Sequence, residues 1–143
     1  MDLMTAMQVS AAGLTAQRTR MNVVSSNLAN INTTRTPEGG PYRRKQVIVT
    51  AVPVQNRFGQ MLADRIREPK VVAITNDPTP FQRVFDPSHP DADDQGYVLL
   101  PNVSLMKEMV DMLSATRAYE ANSAAINSVK NMARRAIEIG SAR

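Results

Sequence analysis

Two long stretches of helical periodicity bracket a middle that has none, and this arrangement constrains the chain most. From Asp2 to about Ile31, Met7, Leu14, Met21 and Leu28 fall seven residues apart. Leu3, Ser10, Gln17, Val24 and Ile31 hold the companion positions, which makes an a/d heptad. Ser10 and Gln17 dilute its apolar character, which argues against a simple two-stranded zipper. Ala6, Ala11, Ala12, Gly13 and Ala16 keep the first half slim, so another helix can approach closely. Gly13 gives up about 1 kcal/mol of helix propensity relative to Ala. A helix of this length spans roughly 40–45 Å. That exceeds what an ordinary globular core needs, so it crosses a bundle or meets other subunits.

Helical periodicity returns at Asn102. Asn102 or Ser104 can cap the segment, with Glu108 downstream. Leu105, Met109, Met112, Thr116, Tyr119, Ser123, Ile126, Ala133 and Ile137 follow one three-four alternation, interrupted by Lys130. Ala118, Ala121, Ala125, Val129, Met132, Ala136 and Ile139 follow a second. Two apolar faces on one helix imply partners on both sides. Gly140 is the expected stop.

The first helix ends in Ser25-Ser26-Asn27-Leu28-Ala29-Asn30-Ile31-Asn32-Thr33-Thr34. Asn and Thr side chains compete for backbone groups and favour local bonds over continued helix. Asn27, Asn30 and Asn32 are therefore expected to satisfy the helix end and fix the exit of the chain. Pro37, Gly39, Gly40 and Pro41 then make a loop, with residues 33–41 expected extended or mobile.

The middle is rich in β-branched residues. Tyr42 to Val54 and Val71 to Thr75 read as strands, the first ended or placed at a sheet edge by Pro53 and the second bounded by Pro69 and Asn76-Asp77-Pro78. Asn56 to Gly59 reads as a turn, Gln60 to Ala63 as a short strand, Phe81 to Phe85 as a short edge strand and Tyr97 to Leu100 as a last strand before Pro101. Such a unit is marginal alone and must lean on the helices or on neighbours. The expected fold class is α+β: long N- and C-terminal helices pairing as an antiparallel coiled-coil-like bundle, with a small β-rich insert between them. The expected division is an assembly helix over 1–32, a loop over 33–41, the insert over 42–101 and a second assembly helix over 102–140.

Apolar residues make up 43% of the chain and aromatics 4%, with no Trp, so the core must be aliphatic. Nine Met suit adaptable helix packing. Without Cys there is neither a disulfide framework nor a Cys metal site. Residues 1–31 lack a basic head followed by an unbroken apolar run, so no cleaved secretion signal and no membrane span is expected. Residues 41–70 carry seven basic and two acidic side chains, and residues 76–96 five Asp and one Arg. That asymmetry fits head-to-tail contact between subunits, or simply a solvated loop surface.

No catalytic constellation is present. His89 is the one histidine, which excludes a His-rich metal centre. Asp86, Asp91, Asp93 and Asp94 lack the spacing and distal Glu of a calcium loop and read as a Pro-punctuated turn. There is no phosphate-cradling Gly loop or nucleophile elbow. No cofactor and no catalytic, cofactor-binding or metal residue is expected. Two binding readings rest on generic features. A lipid-binding interfacial helix over residues 1–31 would carry few Lys or Arg and an Ala-diluted apolar face. Nucleic-acid binding by Arg43-Arg44-Lys45 would have only Tyr42 as a nearby aromatic.

Ser26-Asn27-Leu28-Ala29-Asn30-Ile31-Asn32-Thr33 resembles the N-terminal signature of bacterial flagellar rod and hook proteins. Met109 to Asn122, which includes Arg117, Tyr119 and Glu120, resembles the C-terminal signature of the same family. Pro41-Tyr42-Arg43-Arg44-Lys45, Asp86 to Ala92, Gly96-Tyr97-Val98 and Pro101-Asn102-Val103 resemble the proximal-rod members. The resemblance implies a structural subunit of the periplasm-spanning rod, which transmits torque and surrounds the export channel. It implies as partners copies of itself, other rod proteins, the rotor-ring/rod adaptor and, during secretion, the flagellar type III export apparatus. It implies neither nucleic acid nor membrane insertion. Leu3, Met7, Leu14, Met21, Leu28, Leu105, Met109, Met112, Tyr119 and Ile126 are the residues expected to pack within and between subunits.

Overall fold

The computed structural model describes residues 3–54 and 66–141. The turn expected at Asn56–Gly59 and the strand expected at Gln60–Ala63 lie outside the described residues. Helix α1 spans Leu3–Ala29, strands β1 and β2 span Lys45–Pro53 and Arg67–Asn76, β3 and β4 span Gln82–Phe85 and Tyr97–Leu100, and helix α2 spans Leu105–Ser141. The class is α+β, with the two long helices packed against each other and two small sheets between them in sequence.

The chain forms two compact units. One comprises residues 1–19, 49–72 and 114–143. Its buried side chains include Thr5, Ala16, Val54, Ala115 and Val129. Here the slimness of α1 is used directly: a Cβ added at Gly13 would lie 2.7 Å from the Asn122 Oδ1 on α2. The Asn122 amide nitrogen donates to the Ala118 carbonyl at 2.8 Å, which holds the side chain flat against its own helix. Gln8 on α1 donates to Glu68 on β2 at 3.1 Å.

The other unit comprises residues 20–48 and 73–113. Its buried side chains include Val23, Val24, Asn27, Tyr42, Val98, Pro101, Val103 and Glu108. The helices run antiparallel here, because Arg20 meets Asp111 while the later Asn27 meets the earlier Glu108. Strands β3 and β4 pair antiparallel, with Gln82 opposite Leu100 and Phe85 opposite Tyr97. The Phe85 and Tyr97 rings pack edge to face at 5.2 Å, and the Arg83 guanidinium lies 4.2 Å over Tyr97. Gly96 has φ +78°, in the left-handed region that favours glycine, and faces the Phe85 ring.

Strands β1 and β2 form the second sheet. Backbone bonds from Val54 N–H to the Ile66 carbonyl and from Asp77 N–H to the Arg44 carbonyl run these strands in opposite directions.

Three local expectations change, and one open alternative closes. Pro69 lies inside β2 rather than before it. In a two-stranded sheet every strand is an edge, so a residue without N–H is tolerated. Gly140 does not stop α2, which runs to Ser141. Residues 33–41 are not extended. They close into a bonded loop, with Tyr42 N–H on the Thr33 carbonyl at 2.9 Å and Thr36 N–H on the Gly40 carbonyl at 2.9 Å. The cap of α2 is Ser104, whose carbonyl accepts the Glu108 N–H at 3.0 Å. Asn102 serves the insert instead, and the Glu108 side chain is buried rather than turned back to the helix start.

Candidate functional site

The most constrained side chain in the first helix is Asn27, which is fully buried. A primary amide offers two donors and two acceptor lone pairs, and Asn27 uses all four. Its nitrogen donates to the Lys45 carbonyl at 2.8 Å and to Glu108 Oε2 at 2.9 Å. Its oxygen accepts from the Lys45 N–H at 2.9 Å and the Tyr42 hydroxyl at 3.0 Å. The orientation is forced, because Lys45 N–H can only donate and a carboxylate can only accept. Asn27 therefore pairs with the first residue of β1 much as a neighbouring strand would. It ties the insert to the helix rather than satisfying the helix end, as the sequence implied.

Glu108 is equally buried and takes its other bond from Arg44 Nε at 2.6 Å. Arg44 also reaches Asp77 at 3.2 Å and Asp111 at 3.5 Å, and Asp111 is held by Arg20 at 2.7 Å. Burial works against the Arg44 charge, but the hydrogen bond and charge of Glu108, then those of Asp77, outweigh it and raise its pKa. Asp77 is held below the ordinary carboxylate range by the hydroxyl and amide of Thr79, and then by Arg44. Asn102 closes the cluster, accepting from Arg44 N–H at 2.8 Å and donating to the Thr79 carbonyl at 3.0 Å. A buried charge is tolerated only when paired and hydrogen-bonded. Glu108 meets that condition only if α1, the start of β1 and α2 are all in place.

This junction also answers the charge asymmetry. Arg44 and Asp77 join the basic and acidic stretches within one chain. Arg43 donates to the Asp77 and Thr79 carbonyls and lies 4.3 Å over the Phe81 ring. In the acidic loop, Asp86 accepts from the Ser88 amide and hydroxyl, and Asp93 from the Gln95 and Tyr97 amides. These are loop-closing bonds, and no group of three His, Asp or Glu converges among the described residues.

The other signature residues divide. The Asn30 amide donates to the Ser26 carbonyl at 2.8 Å and its oxygen accepts from Thr33 at 3.2 Å, so Asn30 does close the helix end. Ser26 lies 3.4 Å from the Tyr42 hydroxyl. Leu28 is half-buried, while Ala29, Asn32, Arg117, Tyr119 and Glu120 are exposed. Among the heptad residues, Met7, Leu14, Met21, Met112 and Ile126 are half-buried, and Leu3, Leu105 and Met109 are exposed. The buried stripes run instead through Ala16, Val23 and Asn27 on α1 and Glu108, Ala115 and Val129 on α2. The available signal was a polar residue at a stripe position in each helix.

Residues 7–35 match the family described as "Flagella basal body rod protein", and residues 94–139 match "Flagellar basal body rod FlgEFG protein C-terminal". The chain is 47% identical to the flagellar basal-body rod protein FlgC of Borreliella burgdorferi, over 97% of this chain and 98% of the relative. It is 47% identical to the Bacillus subtilis FlgC over 94% and 95% of the two chains, and 38% identical to that of Escherichia coli O6:H1 over 98% and 99%. The chain belongs to the flagellar basal-body rod proteins. That family is structural, and nothing in the comparisons favours a membrane-binding role. Among the described residues no helix is long and apolar enough to cross a membrane. Asn27 lies in the first matched segment and Asn102, Glu108 and Asp111 in the second. Arg44 and Asp77 lie between them, so the polar junction ties both rod-family segments to the insert.

Proposed function

We propose that this chain is a structural subunit of the proximal part of the flagellar rod, built into the shaft through its terminal helices. Full-length similarity to flagellar basal-body rod proteins is the observation that carries this reading. Exposed apolar residues on both helices support it. Leu105, Met106, Met109, Val110 and Leu113 on α2 face solvent in the single chain, as Leu3 and Met4 on α1 do, and clustered exposed apolar side chains such as those of α2 mark a binding site. Leu3, Met7, Leu14, Met21, Leu28, Leu105, Met109, Met112, Tyr119 and Ile126 pack within the subunit and against its neighbours. Long interlocked helices supply the stiffness that torque transmission needs, around a central export channel. The neighbours are copies of this chain, other rod proteins and the adaptor that joins rod to rotor ring. The chain reaches the periplasm through the flagellar type III apparatus without a cleaved signal. Purified basal bodies test the reading. The chain should be found in the rod fraction, and its deletion should stop hook and filament assembly. Normal motility without it would rule the role out.

A further inference from the structure

The chain has nine Met and no Cys, so all its sulfur meets an oxidant as thioether. The described methionines differ in exposure. Met7, Met21 and Met112 are half-buried. Met4, Met106, Met109 and Met132 are 72%, 74%, 55% and 52% exposed. Two of these four stand together. Met106 and Met109 are three residues apart on α2, a spacing that sets side chains next to each other on one helix face.

The fold holds that pair toward solvent. Glu108 and Asp111 turn inward to Asn27, Arg44 and Arg20. Leu105, Met106, Met109, Val110 and Leu113 form an outward stripe, each 55–74% exposed. The inward bonds lock the azimuth of the helix and so fix where the outward stripe points. Met106 also lines an open groove of about 540 Å³ with Pro80, Gln82 and Lys107, which a molecule as small as hydrogen peroxide can enter.

Oxidation to the sulfoxide turns a flexible apolar side chain into a polar one and disrupts Met-rich interfaces. The sulfur lone pair attacks one peroxide oxygen. The S–O bond forms as the O–O bond breaks, sulfur gives up two electrons, and the departing hydroxide takes the remaining proton and leaves as water. In the reverse direction a sulfoxide reductase spends two thiols, which become a disulfide, and the oxygen leaves as water.

We infer that Met106 and Met109 form a reversible oxidation site, at which hydrogen peroxide turns the outward stripe polar and withholds the chain from rods until the sulfoxides are reduced. This rests on the rod reading and adds a control to it.

The purified full chain tests the chemistry apart from assembly. Under hydrogen peroxide, peptide mass spectrometry should show Met106 and Met109 gaining sulfoxide at least threefold faster than Met21 and Met112. Equal rates at the four sites would overturn the inference. A sulfoxide reductase with dithiothreitol should return both sites to thioether, and sulfoxides that persist would refute reversibility. In cells, Met106→Gln with Met109→Gln imitates the polar state, and Met106→Leu with Met109→Leu keeps the face apolar. At equal cellular level and equal circular dichroism, the Gln pair should enter basal bodies at least tenfold less than the Leu pair. Equal incorporation, or failure of both pairs, would show that polarity at these two positions does not control entry and would overturn the inference while leaving the rod reading standing. Absence of the unaltered chain from basal bodies would instead remove the rod reading, and the control with it.

Discussion

The Asn27 amide nitrogen stands 2.9 Å from Glu108 Oε2, and neither residue has any exposed surface. The two lie on opposite helices, 81 residues apart, and each is the other's licence to be buried. Asn27→Ala would leave Glu108, the Tyr42 hydroxyl and both backbone groups of Lys45 short of a partner. Each orphaned buried group costs about 1–3 kcal/mol. A loss of about 3 kcal/mol or more is expected from the midpoint of urea unfolding. Asn27→Asp should be worse than Asn27→Ala, because it sets two carboxylates face to face. Equal stabilities for the two variants would show that the Glu108 contact carries little.

Replacing Glu108 by Gln separates charge from shape. The Gln oxygen could still serve Arg44, but its amide nitrogen would then face the Asn27 nitrogen, donor against donor. Asn27 cannot flip in reply, since Lys45 N–H and the Tyr42 hydroxyl need its oxygen. Breaking one side of a buried pair costs about 3–5 kcal/mol. We expect Glu108→Gln to lose about 3 kcal/mol, and Asn27→Ala to cost much less in that background than in the parent chain. Additive losses in this double-mutant cycle would contradict a shared network.

The elements themselves were legible because they depend on local pattern. Helical periodicity placed α1 and α2, and β-branched runs placed β1 and β2. The junction was not legible, because it is made of pairs that no short window contains. Glu108 read as part of a helix start because charged residues are rarely buried. Its burial depends on Arg44 and Asn27, whose proximity only the tertiary fold supplies. Periodicity favours the larger Met112 and Thr116 over Ala115, yet Ala115 has no exposed surface, since close helix approach favours the smaller side chain. Periodicity marks Leu105 and Met109 of the stripe Leu105, Met106, Met109, Val110 and Leu113 as packing residues, but it does not distinguish an apolar face that meets its own chain from one that meets another.

Gly13 tests how tightly the helices approach. In isolation Gly13→Ala gains about 0.8–1 kcal/mol of helix propensity. Against that, the new Cβ would meet the Asn122 side chain at 2.7–3.1 Å, and overpacking of this kind costs about 1–3 kcal/mol. A net loss is expected for Gly13→Ala alone. With Asn122→Ala beside it the collision is gone, so Gly13→Ala in that background should stabilise by about 1 kcal/mol. A change of sign between the two backgrounds, read by chemical denaturation, is the signature.

Acid should loosen the insert before neutral pH does. Asp77 is held below its ordinary value by the Thr79 hydroxyl and amide and then by Arg44. The Ser88 hydroxyl and amide do the same for Asp86, and the Tyr97 amide, then Gln95 and Arg83, for Asp93. Each carboxyl therefore binds its proton more weakly folded than unfolded. The stability it contributes is complete above the unfolded value, near pH 4, and is lost as pH falls through the folded value. Unfolding midpoints should hold from about pH 7 to 5 and decline below about 4. Asp86→Asn should make that decline shallower. A parent chain whose stability rises on acidification through this range would reverse the sign of the argument.

Leu113 and Ala115 distinguish folding from assembly. They are two residues apart on α2, and Leu113 is 56% exposed while Ala115 has no exposed surface. Leu113→Asp adds a charge in water, and surface substitutions away from special features stay within about 0.5 kcal/mol. Ala115→Asp puts an unpaired carboxylate into the helix interface and should destabilise the chain severely. If the outward stripe is an assembly surface, Leu113→Asp folds with the parent's unfolding midpoint yet fails to enter rods and abolishes motility. If it enters rods at the parent level, that face of the helix is not used, however apolar it is. Ala115→Asp loses motility by the different route of low soluble yield, so measuring stability beside incorporation tells the two failures apart.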